Sequence, residues 1–98
     1  MTPSDEAIRA VLMDLAFRRG SASSFCPSEA ARALAADWRP LMPRVRDMAA
    51  ELARGGLMVA TRKGAPVDPR AAGGPIRLRL APLSLAREGS DAGAAGNR

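Results

Sequence analysis

The chain has 98 residues, a formal net charge of +5 and 47% apolar residues, enough for one small domain and too few for two cores. It has no histidine and a single cysteine, which argues against histidine acid–base or triad chemistry, an intrachain disulfide and an ordinary zinc site. No apolar run approaches the roughly 20 residues of a membrane helix, and no basic stretch leads into an apolar one at the N-terminus, so a cytoplasmic protein without a membrane partner is expected.

The first predicted helix covers residues 4–19. Thr2 can cap it with Pro3 at the first helical position, and Ser4 is the alternative cap. Ile8, Val11, Leu12, Leu15 and Ala16 recur at helical spacing and form one apolar stripe, flanked by Met13 and Phe17. Arg18 and Arg19 suit the negative end of that helix, and Gly20 suits its stop. Residues 21–24 are polar and read as a loop. Cys26-Pro27-Ser28-Glu29 then opens a second, short helix with the pattern of a capping box, cysteine standing where serine or threonine is usual. Ala30, Ala33 and Leu34 are its expected inward residues, and it should end near Ala36 or Asp37. A third helix starts around Arg39-Pro40. Pro43 falls in its first turns, where its missing N–H has no intrahelical partner to lose. Leu41, Val45, Met48 and Leu52 make its apolar stripe, and Gly55-Gly56 stops it.

Residues 57–62 are apolar and strand-compatible. Residues 75–80 alternate strictly, with Ile76, Leu78 and Leu80 on one face and Arg77 and Arg79 on the other. These two strands predict a hairpin with a long tip over residues 63–74, in which Asp68-Pro69 caps one helical turn. The predicted core joins Ile8, Leu12, Leu15, Leu34, Trp38, Val45, Met48, Leu52, Val59, Ile76 and Leu78. Residues 1–81 form the domain. Residues 82–98, rich in Gly, Ala, Ser and Asn, read as a flexible tail in which Leu83 and Leu85 are the side chains able to touch the domain. The fold class is therefore α+β, mainly helical with a small β-hairpin. The order α-α-α-β-β is that of a winged helix-turn-helix.

The charge excess is localised. Between residues 38 and 56, Arg39, Arg44, Arg46 and Arg54 outnumber Asp47 and Glu51. Between residues 57 and 80, Arg62, Lys63, Arg70, Arg77 and Arg79 face only Asp68. The excess thus falls on the third helix and the hairpin, the two elements with which a winged helix contacts DNA. A basic region attracts polyanions, above all nucleic acid. Arginine abundance in a chain this rich in Ala and Gly also fits a GC-rich genome, which explains the quantity but not the clustering.

Cys26-Pro27-Ser28-Glu29-Ala30-Ala31-Arg32-Ala33-Leu34, Trp38-Arg39-Pro40-Leu41-Met42-Pro43-Arg44-Val45-Arg46, Thr61-Arg62-Lys63-Gly64, Pro66-Val67-Asp68-Pro69 and Gly74-Pro75-Ile76-Arg77-Leu78-Arg79 together resemble the motifs of a bacterial family labelled domain of unknown function 3253. The resemblance covers about residues 5–80 and implies a small winged-helix-like fold. It brings no activity with it, so no catalytic or binding residue is carried over.

The candidate nucleic-acid-binding residues are Arg39, Arg44 and Arg46 at the start of the third helix and Arg62, Lys63, Arg77 and Arg79 on the wing. Arginine reads guanine edges and holds phosphates. The competing readings are a solvated helix face with local ion pairs to Asp37 and Asp47, and a strand face kept charged against edge-to-edge pairing. Cys26 stands at a helix start, where the dipole favours a thiolate, but no histidine or second cysteine assists it, and a buried cap is the simpler role. Trp38 is able to stack on a base or a partner, but with only Phe17 and Phe25 as other aromatics it reads first as a core anchor. The reading is a non-enzymatic module without catalytic residues, cofactor or metal. Its candidate partners are double-stranded DNA, an acidic protein, or a second copy of the chain.

Overall fold

Ser4 rather than Thr2 caps the first helix: its side chain accepts a hydrogen bond from the Ala7 N–H at 3.1 Å. This satisfies one of the amides that every helix start leaves without an intrahelical partner. In this computed structural model, which describes residues 2–71 and 73–82, α1 spans Asp5–Arg19. It ends at Gly20, whose φ of 77° lies in the left-handed region and whose N–H bonds to the Ala16 carbonyl. Ile8, Leu12 and Ala16 are fully buried, as the stripe predicts. Phe17, one residue beyond it, is 67% exposed.

α2 spans Pro27–Leu34. The Glu29 carboxylate accepts the Cys26 N–H at 3.2 Å and also pairs with Arg19, so one side chain caps α2 and ties it to the end of α1. The helix stops earlier than the sequence predicts, with Ala35 in extended backbone. Ala30 and Ala31 are buried and Ala33 is exposed. At 3.6 residues per turn, Ala30, Ala31 and Leu34 share one arc and Ala33 stands off it, which corrects the expected inward set.

A 3₁₀ turn over Arg39–Leu41 leads into α3, Met42–Arg54, with Pro43 harmlessly in the first turn. Its end is a Schellman motif. The Leu57 N–H bonds to the Leu52 carbonyl at 2.9 Å and the Gly56 N–H to the Ala53 carbonyl at 3.1 Å, and Gly56 takes the φ of 80° that this requires.

The sheet departs most from expectation. β1, Met58–Arg62, pairs antiparallel with β3, Arg77–Leu80, as predicted. The expected long tip instead contains a short strand, β2, Ala65–Pro66, on the other edge of β1. Lys63 and Gly64, at φ 53° and 82°, form the two-residue turn between β1 and β2, both in the left-handed region as a type I′ hairpin demands. The expected helical turn at Asp68-Pro69 is a single turn closed by the Ala71 N–H on the Asp68 carbonyl at 2.8 Å. Phe25, unassigned in the sequence reading, bridges the outer edge of β3. Its N–H and carbonyl exchange hydrogen bonds with Leu78 at 2.7 and 2.8 Å, and its ring is fully buried.

Three helices followed by a small three-stranded antiparallel sheet give an α+β layout consistent with a winged helix. The core joins Ile8, Leu12, Phe25, Val45, Met48, Leu52, Ile76 and Leu78, with Leu15, Leu34 and Trp38 packed partly buried against it. Val59 is the misplaced member. Met58 and Ala60 are buried and pair with Leu80 and Leu78, so Val59 lies on the opposite face, across from Arg79. No described helix is long and apolar enough to cross a membrane. Beyond Pro82, the expected tail with Leu83 and Leu85 lies outside the described residues.

Candidate nucleic-acid interface

The fold gives the predicted cations different surroundings. On the helix side, Arg44 donates from Nη2 to Asp5 Oδ1 at 2.7 Å, tying the start of α3 to the start of α1. A second pair, Arg9 with Glu51 at 3.4 Å, links the same two helices further along. Arg39 lies over the Trp38 ring. Arg46 has no ion pair among the described residues and lines a cleft of about 350 Å³ with Met42, Pro43, Asp47 and Arg70.

On the sheet, Arg62 points with Met58 and Ala60 toward the core side and crosses to the β2–β3 connection. Its Nη2 donates to the carbonyls of Ala71 at 3.0 Å and Gly74 at 3.1 Å. Arg77 donates from Nε to Ser24 Oγ at 3.0 Å and from Nη2 to the Ser24 carbonyl at 2.9 Å, holding the α1–α2 loop against β3. Arg79 shares the outer face of the sheet with Arg77, without an ion pair among the described residues. Lys63 is exposed at the tip of the type I′ turn.

The structure brings Arg46 together with two arginines outside the predicted set. The segment from Val67 to Arg70 lies against α3, with Pro69 buried, and encloses a second cleft of about 270 Å³ lined by Ala50, Ala53, Arg54, Val67, Asp68, Pro69 and Arg70. Arg70 lines both clefts. Its backbone N–H donates to Asp68 Oδ1 at 2.9 Å and its Nε approaches the same oxygen at 3.5 Å. These bonds, the backbone one foremost, hold the Asp68 carboxyl below the ordinary aspartate range. The sequence held a signal for Arg54, two turns beyond Arg46 on the same helix face. It held none for Arg70, which only the fold of the β2–β3 connection carries to α3. Among the described residues no group of histidine, cysteine, aspartate and glutamate is placed to hold a metal. Cys26 is half-buried, and its Sγ accepts the Ser28 hydroxyl at 3.1 Å.

A family model matches residues 5–81, nearly the whole described region. The chain belongs to the DUF3253 family, proteins of unknown function. No curated protein matches the chain at a significant level. The matched span of this DUF3253 protein contains the helical unit, the sheet and every cation of the two clefts, and it ends one residue after β3.

Proposed function

We propose that this DUF3253 protein is a non-enzymatic nucleic-acid-binding module of the cytoplasm that takes duplex DNA along the exposed face of α3 and the adjoining segment from Val67 to Arg70. The observation that carries the reading is the pair of clefts sharing Arg70 and lined by Arg46 and Arg54. Asp68 is engaged by Arg70, and Asp47 is the remaining acid there. Elsewhere, Asp5, Asp14, Glu29 and Glu51 are each paired with an arginine, so the surplus charge is left on this side of α3, around Trp38 and along the wing. Guanidinium groups on a helix and its flanking loop suit phosphates on both sides of a groove, and on this reading Arg46 is the candidate reader of a base edge.

The test is fluorescence anisotropy of a labelled mixed-sequence duplex at several salt concentrations. Contacts by Arg46, Arg54 and Arg70 predict a slope of log affinity on log salt of about −3 or steeper, at about −0.9 per phosphate. Arg70→Ala flattens it by about one unit on every sequence, whereas Arg46→Ala also relaxes sequence preference if it reads a base. Absence of binding at low salt, or a slope unchanged in the Arg46→Ala/Arg70→Ala double variant, rejects the reading.

One observation favours a protein-interaction module instead. Phe17 and Leu57, 67% and 45% exposed, line an apolar cleft of about 380 Å³ with Met13 and Leu80. Exposed apolar clefts of this kind suit partner side chains. A failed DNA titration moves the assignment to this second surface.

A further inference from the structure

Trp38 is the single tryptophan of a chain without tyrosine, and it holds two cations. The guanidinium carbon of Arg32 lies 4.8 Å from the ring centroid and that of Arg39 lies 4.7 Å from it. Both are well inside the roughly 6 Å reach of a cation–π contact. Arg32 comes from the last turn of α2 and Arg39 from the first residue of the 3₁₀ turn, so the ring joins two elements. The indole packs partly buried against the core, whereas both arginines are exposed.

Neither arginine has an ion-pair partner among the described residues. The ion pairs among the described residues all lie elsewhere, and Asp37, the neighbour of Trp38, pairs with neither. No acidic residue stands in the first turn of the 3₁₀ segment or of α3. Two like charges gathered on one ring repel each other, and phosphates bound beside them relieve that repulsion. A free surface arginine also loses rotamer entropy when it meets a ligand. Stacking on Trp38 has already restricted both side chains. No hydrogen bond among the described residues uses the N–H groups of either guanidinium, so these donors are left for phosphate oxygens, which arginine holds best in a two-pronged contact.

We propose that Arg32 and Arg39, held by Trp38, form a phosphate clamp for the nucleic-acid backbone. The clamp rests on the nucleic-acid reading above and adds to the α3 clefts a positioning contact at the entry to the third helix. It carries no sequence information of its own, because it meets phosphate rather than bases.

The sole tryptophan makes the site self-reporting. In one titration of the full chain, anisotropy of a labelled duplex reads binding anywhere, and Trp38 emission reads this site. The expected result is a Trp38 emission change with the same midpoint as the anisotropy. Arg32→Gln and Arg39→Gln should each flatten the salt slope by about 0.9 and weaken different sequences equally. Both residues are exposed, and unchanged circular dichroism confirms that the variants fold. Duplex binding with Trp38 emission unmoved and both slopes intact overturns the clamp and leaves the α3 clefts standing. No duplex binding overturns the clamp together with the reading on which it rests. An emission change produced by inorganic phosphate but not by duplex also overturns it, because the site then takes a free anion rather than the backbone.

Discussion

Arg62 and Arg77, candidate ligand contacts, also bind groups of the protein itself. Arg62 bridges the carbonyls of Ala71 and Gly74, and a Cβ on Gly73, whose φ is 125°, would come within 3.0 Å of its Nη1. The side chain thereby fixes the connection that carries Arg70 to α3. Replacing a charged donor to two carbonyls should lower stability by about 1–3 kcal/mol in Arg62→Ala, read from the urea midpoint. The same variant should flatten the salt slope of DNA binding by less than the loss of Arg70 does, since its guanidinium faces the loop. An Arg62→Ala protein of wild-type stability would contradict this account. Arg44 is a further case. Its place on α3 makes it a candidate groove contact, and it also pairs with Asp5, about forty residues away in sequence, because helix packing sets the two 2.7 Å apart.

At the scale of elements, the helices were the most legible part. Their apolar stripes, Pro27 and Glu29 at the start of α2, and Gly55-Gly56 after α3 are local signals, and local hydrogen bonding decides helices. β1 was legible as a strand but not in phase. Leu57, Met58, Val59 and Ala60 are all apolar, so alternation could not say which side faces in, and a one-residue slip exchanges the faces. Pairing with Leu78 and Leu80 chose Met58 and Ala60. β2 was hidden because it has two residues and ends in proline, which an edge strand tolerates. The turn before it offers a test. Lys63 holds a left-handed φ of 53° that asparagine adopts at lower cost. Lys63→Asn, giving the favoured Asn-Gly turn, should raise stability by about 0.5–1 kcal/mol, measured as a higher urea midpoint at unchanged m-value. A lower midpoint would show that the turn is held by something other than its backbone preference.

Across the whole molecule, function depends on where unpaired charge is left once the fold has made its ion pairs. Asp47 is exposed in the cleft of Arg46 and Arg70 and has no ion pair among the described residues. On the nucleic-acid reading it opposes binding. At solvent-exposed separations of a few ångströms such a charge contributes up to about 1 kcal/mol. Asp47→Asn should therefore tighten duplex binding by about two- to fivefold at low salt, and the gain should fade as salt rises. Weaker binding in that variant, seen in the same anisotropy titration, would mean that Asp47 itself makes a contact.

Composition, apolar spacing and capping residues by themselves determined three helices, their starts and stops to within a few residues, a following β unit, and a surplus of positive charge in the second half of the chain. Each of these follows from short-range backbone preferences or from counting. Tertiary structure alone decided the phase of β1, the burial of Phe25 against Leu78, and the division of the arginines. Arg44, Arg62 and Arg77 are bound to groups distant in sequence, Arg32 and Arg39 meet on one indole, and Arg46, Arg54 and Arg70 are gathered along α3. A guanidinium reaches several ångströms from its backbone and takes whichever acceptor or ring the packing presents, so its role is fixed by neighbours that no local pattern names.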